Sequence, residues 1–201
     1  IAAECKIPLL RHDVAWGYYE GYTGIRSYKK VIEAVAPFVR QAAEYARERG
    51  VKTCSENHGY LLQDSARMLE LFAVVDHPNY GFLCDMGNFT VVDEDCATAV
   101  SALSDHIVHV HAKDMLVRSG MNFDPGRGYN LSRGGNYWRG TIFGHGNVPT
   151  FQILSAIRKS GYDGYVSLEF EGMEPVLEGV EIGTQNLQHM IEVIGEGQRY
   201  V

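Results

Sequence analysis

Paired cysteine motifs, long apolar runs and a surplus of basic residues are all missing from this sequence, and each gap argues against a class of function. The four cysteines, Cys5, Cys54, Cys84 and Cys96, show no CxxC spacing, which disfavours a thiolate zinc site or a dithiol redox centre. Cys54 and Cys84 fall inside apolar runs, where a thiol behaves as a small buried hydrophobe, and all four are read as structural. No stretch approaches the roughly 20 apolar residues of a membrane span. With 18 Lys and Arg against 25 Asp and Glu, a net charge of −7, the chain lacks the basic face that nucleic acid or an acidic membrane needs. Neither partner is expected, and a cytoplasmic setting is the default expectation.

What is present is the composition of one soluble globular domain, 45% hydrophobic and 21% charged over 201 residues. Four short apolar runs each end in a side chain able to bind a hard divalent metal: VKTCSE at Glu56, GFLCD at Asp85, HIVHVH at His111 and GYVSLE at Glu169. Val/Ile/Leu-rich runs of this length read as parallel strands, and in a β/α barrel the chemistry sits at the carboxyl ends of such strands. Glu56 to Asp85 is 29 residues and Asp85 to His111 is 26, close to the roughly 30 residues of one strand-helix-strand unit. The step to Glu169 is 58, with a Gly-rich stretch from Lys113 to Asn147 filling the surplus. Three carboxylates and one imidazole form an oxygen-rich set that suits Mn²⁺, Mg²⁺ or Co²⁺.

The signals between these runs are helical. Ser27 to Arg49 carries Val31, Val35, Phe38, Ala42 and Tyr45 at helical spacing and stops at Gly50. Further helices are expected around Ser65 to Val74, from an Asp-rich start at Val92 to Asp95, over Thr150 to Lys159, and around Leu187, Met190, Ile191 and Ile194. With CKIPLLR as a first strand, the alternation predicts α/β architecture and a (β/α)8 TIM barrel of which five C-terminal strand-helix units are visible. Residues 1–201 are read as one such domain lacking its first three βα units. If 201 residues were the whole product, a homo-oligomer or strand exchange would be expected, and a non-catalytic metal- or sugar-binding barrel would be the alternative to an enzyme.

The segments SENHG, LCDMGN, HVHAKD, FGHGNVPTF and GYDGYVSLEFEG, in that order, resemble the signature segments of the xylose-isomerase-like TIM barrels, the sugar phosphate isomerase/epimerase superfamily. The resemblance runs from about Lys6 to Ile194. It implies that Glu56, Asp85, His111 and Glu169 bind one divalent metal, with Mn²⁺ leading and Co²⁺, Mg²⁺, Zn²⁺ or Fe²⁺ open. It also implies that Glu56 and Glu169 are both ligands and the acid/base pair of a sugar isomerase or epimerase working through a metal-stabilised enediolate. A lyase or dehydratase acting on a keto-polyol or keto-glycoside is the close alternative, because the same intermediate can expel a β-hydroxyl or an aglycone. Many relatives have histidine where Asn88 stands. Asparagine can hydrogen-bond a hydroxyl but cannot shuttle protons. The loop before FGHG lacks the paired Asp and His of the related abasic-site endonucleases, which disfavours DNA repair.

The partner expected is a small-molecule sugar or sugar-derived substrate, bound by Arg11, His12, His58, Asn88 and Lys113. Lys113 can hold an anionic substrate group or pair with a carboxylate. Asn57 can orient Glu56 from the next position. His109 shares the strand face of His111 but lies deeper, and is read as a hydrogen-bonded core residue. Glu171 is read as solvated or supporting. Trp16, Tyr18, Tyr19 and Tyr22 suit either a sugar face or a packed lid. The Lys113 to Asn147 stretch carries five basic residues against Asp114 and Asp124, a local +3 that can draw in an anion or cover the site.

Overall fold

In the computed structural model, which describes residues 1–196, the expected alternation appears as β1 (Leu9–Arg11), α1 (Tyr28–Arg47), β2 (Lys52–Glu56), α2 (Ser65–Val75), β3 (Tyr80–Asp85), α3 (Cys96–Leu103) and β4 (Ile107–Ala112). Then come β5 (Asp114–Arg118), β6 (Asn130–Leu131), β7 (Tyr137–Thr141), α4 (Thr150–Lys159), β8 (Val166–Leu168) and α5 (Val176–Gly195). Five strands pair in parallel in the order β1-β2-β3-β4-β8. The sheet and its helices are a partial (β/α)8 barrel, as the sequence predicts.

Local chemistry sets the helix starts. Ser27, Asp64 and Asp95 are N-caps whose side chains accept the N–H groups of Lys30, Arg67 and Thr98, satisfying donors the first turn leaves unpaired. On the helix-facing side of the sheet, Phe82, Cys84, Val110 and Ala112 join a core with Leu71, Phe72, Val100, Leu103 and Ile153. The opposite, concave side opens onto a cleft of about 690 Å³ lined by Leu9, Arg11, Cys54, Leu83, His109 and His111. Between β3 and β4 the register shifts by one: Phe82 faces Ile107, but Leu83 faces His109. Val108 is the extra residue. Its methyl groups fill the space above Gly81, where an added Cβ would lie 2.4 Å from Val108 Cγ1.

Three expectations need correction. The Gly-rich stretch is no simple loop: β5, β7 and β6 form an antiparallel sheet in that order. It is clamped by side chains. The Asp114 carboxylate accepts backbone N–H groups from Met115, Gly144, Gly146 and Val148 at 2.8 to 3.1 Å. Asp93 accepts from Ser132 Oγ at 2.6 Å and Asn136 Nδ2 at 2.7 Å, and Arg133 pairs with Asp64 at 2.7 Å. The buried stripe of α1 is Ile32, Ala36, Val39 and Ala43, and Phe38 and Tyr45 are exposed by 70% and 60%. The third helix starts at Cys96, after a 3-10 turn over Asn88–Val92.

All four cysteines are free, with Cys54, Cys84 and Cys96 buried. Burial pushes the Cys54 thiol up to about 12, so it is a packing group and not a nucleophile. Among the described residues no helix is long and apolar enough to cross a membrane.

Candidate metal centre

Four adjacent strand ends deliver the cluster. Glu56 closes β2 and Asp85 closes β3; His111 is the register partner of Asp85. Glu169 follows β8, its backbone N–H donating to Ala112 O at 3.1 Å. One ligand atom from each of Glu56, Asp85, His111 and Glu169 lies within 4.8 Å of the other three.

The surroundings hold these groups in place and leave oxygens free. Asp85 Oδ1 accepts the N–H groups of Gly87 and Asn88 at 2.9 and 3.0 Å. Asn57 does not reach Glu56; its side-chain amide pairs with the backbone N–H and C=O of Asp85 at 3.0 and 2.9 Å. The side chain on Glu56 is instead that of Asn88, whose Nδ2 donates to Glu56 Oε1 at 2.9 Å. His111 Nδ1 lies 2.9 Å from Glu169 Oε2. Glu56 Oε2 and Asp85 Oδ2 are buried without an aligned hydrogen bond. Each has a cation beside it, Arg11 Nε at 2.9 Å and Lys113 Nζ at 3.1 Å. Buried carboxylate oxygens with unused lone pairs, grouped with an imidazole, fit a hard divalent ion.

Titration follows this geometry. Burial raises Glu56, opposed by the Arg11 charge, and raises Asp85, opposed by Lys113. Burial would raise Glu169 too, but His111, Asp85 and Lys113 outweigh it and hold that carboxyl below its usual range. Burial would lower His111, yet Glu169, Asp85 and Glu56 raise it above 6.5.

Of the predicted substrate-binding residues, Arg11, Asn88 and Lys113 join the cluster. Asn88 and Lys113 are only 3% exposed, and Lys113 pairs with Asp85, Glu169 and Glu171. His12 and His58 are not brought into it. His12 stacks on Tyr80 at 5.8 Å, and His58 meets the edge of Trp16 at 4.5 Å. His109 contacts Ser167 Oγ at 2.9 Å. Sequence reasoning missed Asp13, whose carboxylate accepts from Arg11 at 2.8 Å and Trp16 at 3.0 Å and so ties the aromatic loop to the guanidinium on Glu56. An acid two residues from an arginine was the only signal.

A family profile described as the xylose isomerase-like TIM barrel matches residues 1–194. The chain belongs to that family. An inosose dehydratase of Lacticaseibacillus casei is 29% identical over 142 residues, covering 69% of this chain and 47% of that protein. This xylose isomerase-like chain spans about half the length of the curated relatives it matches. A xylose isomerase domain protein from Planctomyces limnophilus superposes with a TM-score of 0.73 at 16% identity, covering 97% of this chain and 62% of that one. A D-tagatose 3-epimerase-like protein gives 0.72 at 21% identity, covering 98% and 66%. At such identities these two likenesses concern the fold.

Proposed function

We propose that this chain carries the metal site of an isomerase or epimerase acting on a sugar or sugar-derived ketone, within one barrel domain completed by further strand-helix units. The observation that carries the reading is the convergence of Glu56, Asp85, His111 and Glu169 within 4.8 Å at four neighbouring strand ends. A divalent ion bound there, Mn²⁺ before Co²⁺, Mg²⁺, Zn²⁺ or Fe²⁺, would act as a Lewis acid toward a carbonyl and its neighbouring hydroxyl.

The protein's own groups supply the proton handling. Glu56 and Glu169 are the outermost of the four in strand order, with β3 and β4 between them. One carboxylate takes the proton next to the carbonyl and the other returns it. Arg11 and Asn88 hold Glu56 at 2.9 Å each; His111 and Lys113 hold Glu169 at 2.9 and 3.2 Å. The guanidinium of Arg11 lines the cleft and has donors beyond those on Glu56 and Asp13 with which to bind a sugar oxygen.

A second reading, loss of water from a keto-polyol, is favoured by the 29% identity to an inosose dehydratase. The first step, proton removal beside the carbonyl, is common to both. The test combines elemental mass spectrometry for metal, on wild type and on folded E56Q and E169Q, with product analysis after incubation with ketoses and a keto-inositol. One equivalent of metal, lost in the variants, with an isomerised product, is expected. A product lighter by one water selects the dehydratase. A folded protein that takes up neither Mn²⁺ nor Co²⁺ ends both readings.

A further inference from the structure

The Lys113 side chain is 3% exposed, yet its ammonium stands among carboxylates that the metal reading needs. Nζ lies 3.1 Å from Asp85 Oδ2, 3.2 Å from Glu169 Oε2 and 3.1 Å from Glu171 Oε2. The ammonium is thus ion-paired with three carboxylates at once, while its hydrogen bond goes to Asn88 Oδ1 at 3.5 Å. The Asp85 contact matters most. Because Asp85 Oδ1 is occupied by the N–H groups of Gly87 and Asn88, Oδ2 is the oxygen left for a metal, and Lys113 faces it. Glu171 differs from the other two: it belongs to no ligand cluster, and its side chain is 56% exposed.

We propose that Lys113 is a resident cation of the site, which neutralises the buried carboxylates in the metal-free protein and yields Asp85 to an arriving divalent ion by retreating onto Glu171. This rests on the metal reading given above and adds a competitor to it. Buried carboxylates without a counter-charge are costly, so a lysine there keeps the metal-free protein folded. The same charge opposes a second cation a few ångströms away. The retreat needs no new contact, because Glu171 already holds the ammonium and the four-carbon stem of lysine is flexible.

The experiment is calorimetric titration of metal-free protein with Mn²⁺, paired with thermal unfolding in the absence of metal, for wild type, K113M, K113R and E171Q. K113M is expected to bind Mn²⁺ on the order of tenfold more tightly while melting lower without metal, and K113R to stay near wild type in both. Weaker or unchanged binding in K113M overturns the proposal, since a lysine that merely shapes the site would lose affinity when removed. Should K113M fail to fold, E171Q decides. At high salt, where the distant charge of an exposed carboxylate is screened, E171Q is expected to bind several-fold more weakly because the ammonium has lost its refuge. Unchanged affinity there also overturns it. Failure of wild type to bind Mn²⁺ overturns the metal reading together with this one, whereas wild-type binding with unaltered variants overturns this one alone.

Discussion

Two β regions meet at the carboxyl end of the barrel sheet, and both depend on buried acids, but in opposite ways. In the antiparallel sheet of β5, β6 and β7, Asp114 has its lone pairs taken by four backbone N–H groups. In the parallel sheet, Asp85 is equally buried but keeps Oδ2 free of any aligned hydrogen bond, and Glu56 keeps Oε2 free. A buried carboxylate whose oxygens are all used holds the chain together; one with an orphaned oxygen is poised to bind something. Residue type and burial are the same in the two regions, so the count of unused oxygens is what separates scaffold from ligand.

Exchanging the acids region by region tests this comparison. E56Q or D85N is expected to weaken metal binding on the order of a thousandfold by calorimetry, with the metal-free melting temperature little changed, because Arg11 keeps Asp13 and Lys113 keeps Glu169 and Glu171 as ion-pair partners. D114A is expected to do the reverse. It should cost about 3 kcal/mol in denaturant unfolding, as four backbone donors lose their acceptor, and leave metal uptake by the folded fraction near wild type. Loss of metal binding with full stability in D114A would break the comparison.

Acidity offers a subtler handle. His111 is raised above 6.5 by Glu169, Asp85 and Glu56 against the opposing effect of burial. A raised histidine binds its proton more tightly in the folded state, and a metal needs the neutral ring. Affinity is therefore expected to fall as pH drops below the raised His111 pKa, by about tenfold per unit, in titrations run at several pH values. In D114A the slope should be unchanged. The smallest effect belongs to Asp93, partly exposed and shared among Ser132, Gly134 and Asn136. D93A is expected to cost about 1 kcal/mol in urea unfolding with no change in metal affinity.

The parallel strands were legible because a buried strand has a short apolar signature and a period that sets its end. Glu56, Asp85, His111 and Glu169 could be placed at neighbouring strand mouths from spacing alone. The inner stripe of α1 was not, because the helix has two apolar stripes one residue apart. Phe38 and Tyr45 satisfy the helical period as well as Val39 and Ala43 do, and only packing against α2 separates them. The antiparallel sheet was hidden for another reason. β6 is two residues long, and its latches join Asp93 to Asn136 and Asp64 to Arg133, contacts that no local pattern announces. His12 follows the same lesson, since its place beside Tyr80 depends on which way the chain turns after β1.

The extra residue at Val108 carries a consequence for how such a site can change over time. Aligned residues on neighbouring strands point to the same side, and a shift of one turns every later side chain over. Val108 has no partner on β3, so its removal would leave Leu83 opposite His109 and Asp85 opposite His111. Removing Val110, beyond the bulge, would instead set His111 opposite Cys84, throwing the imidazole into the helical layer and bringing Ala112 opposite Asp85 at the mouth. The site thus tolerates loss of the bulge residue far better than a one-residue deletion beyond it in β4. Loss of the Val110 codon is expected to invert the end of the strand and leave Asp85 without its imidazole neighbour.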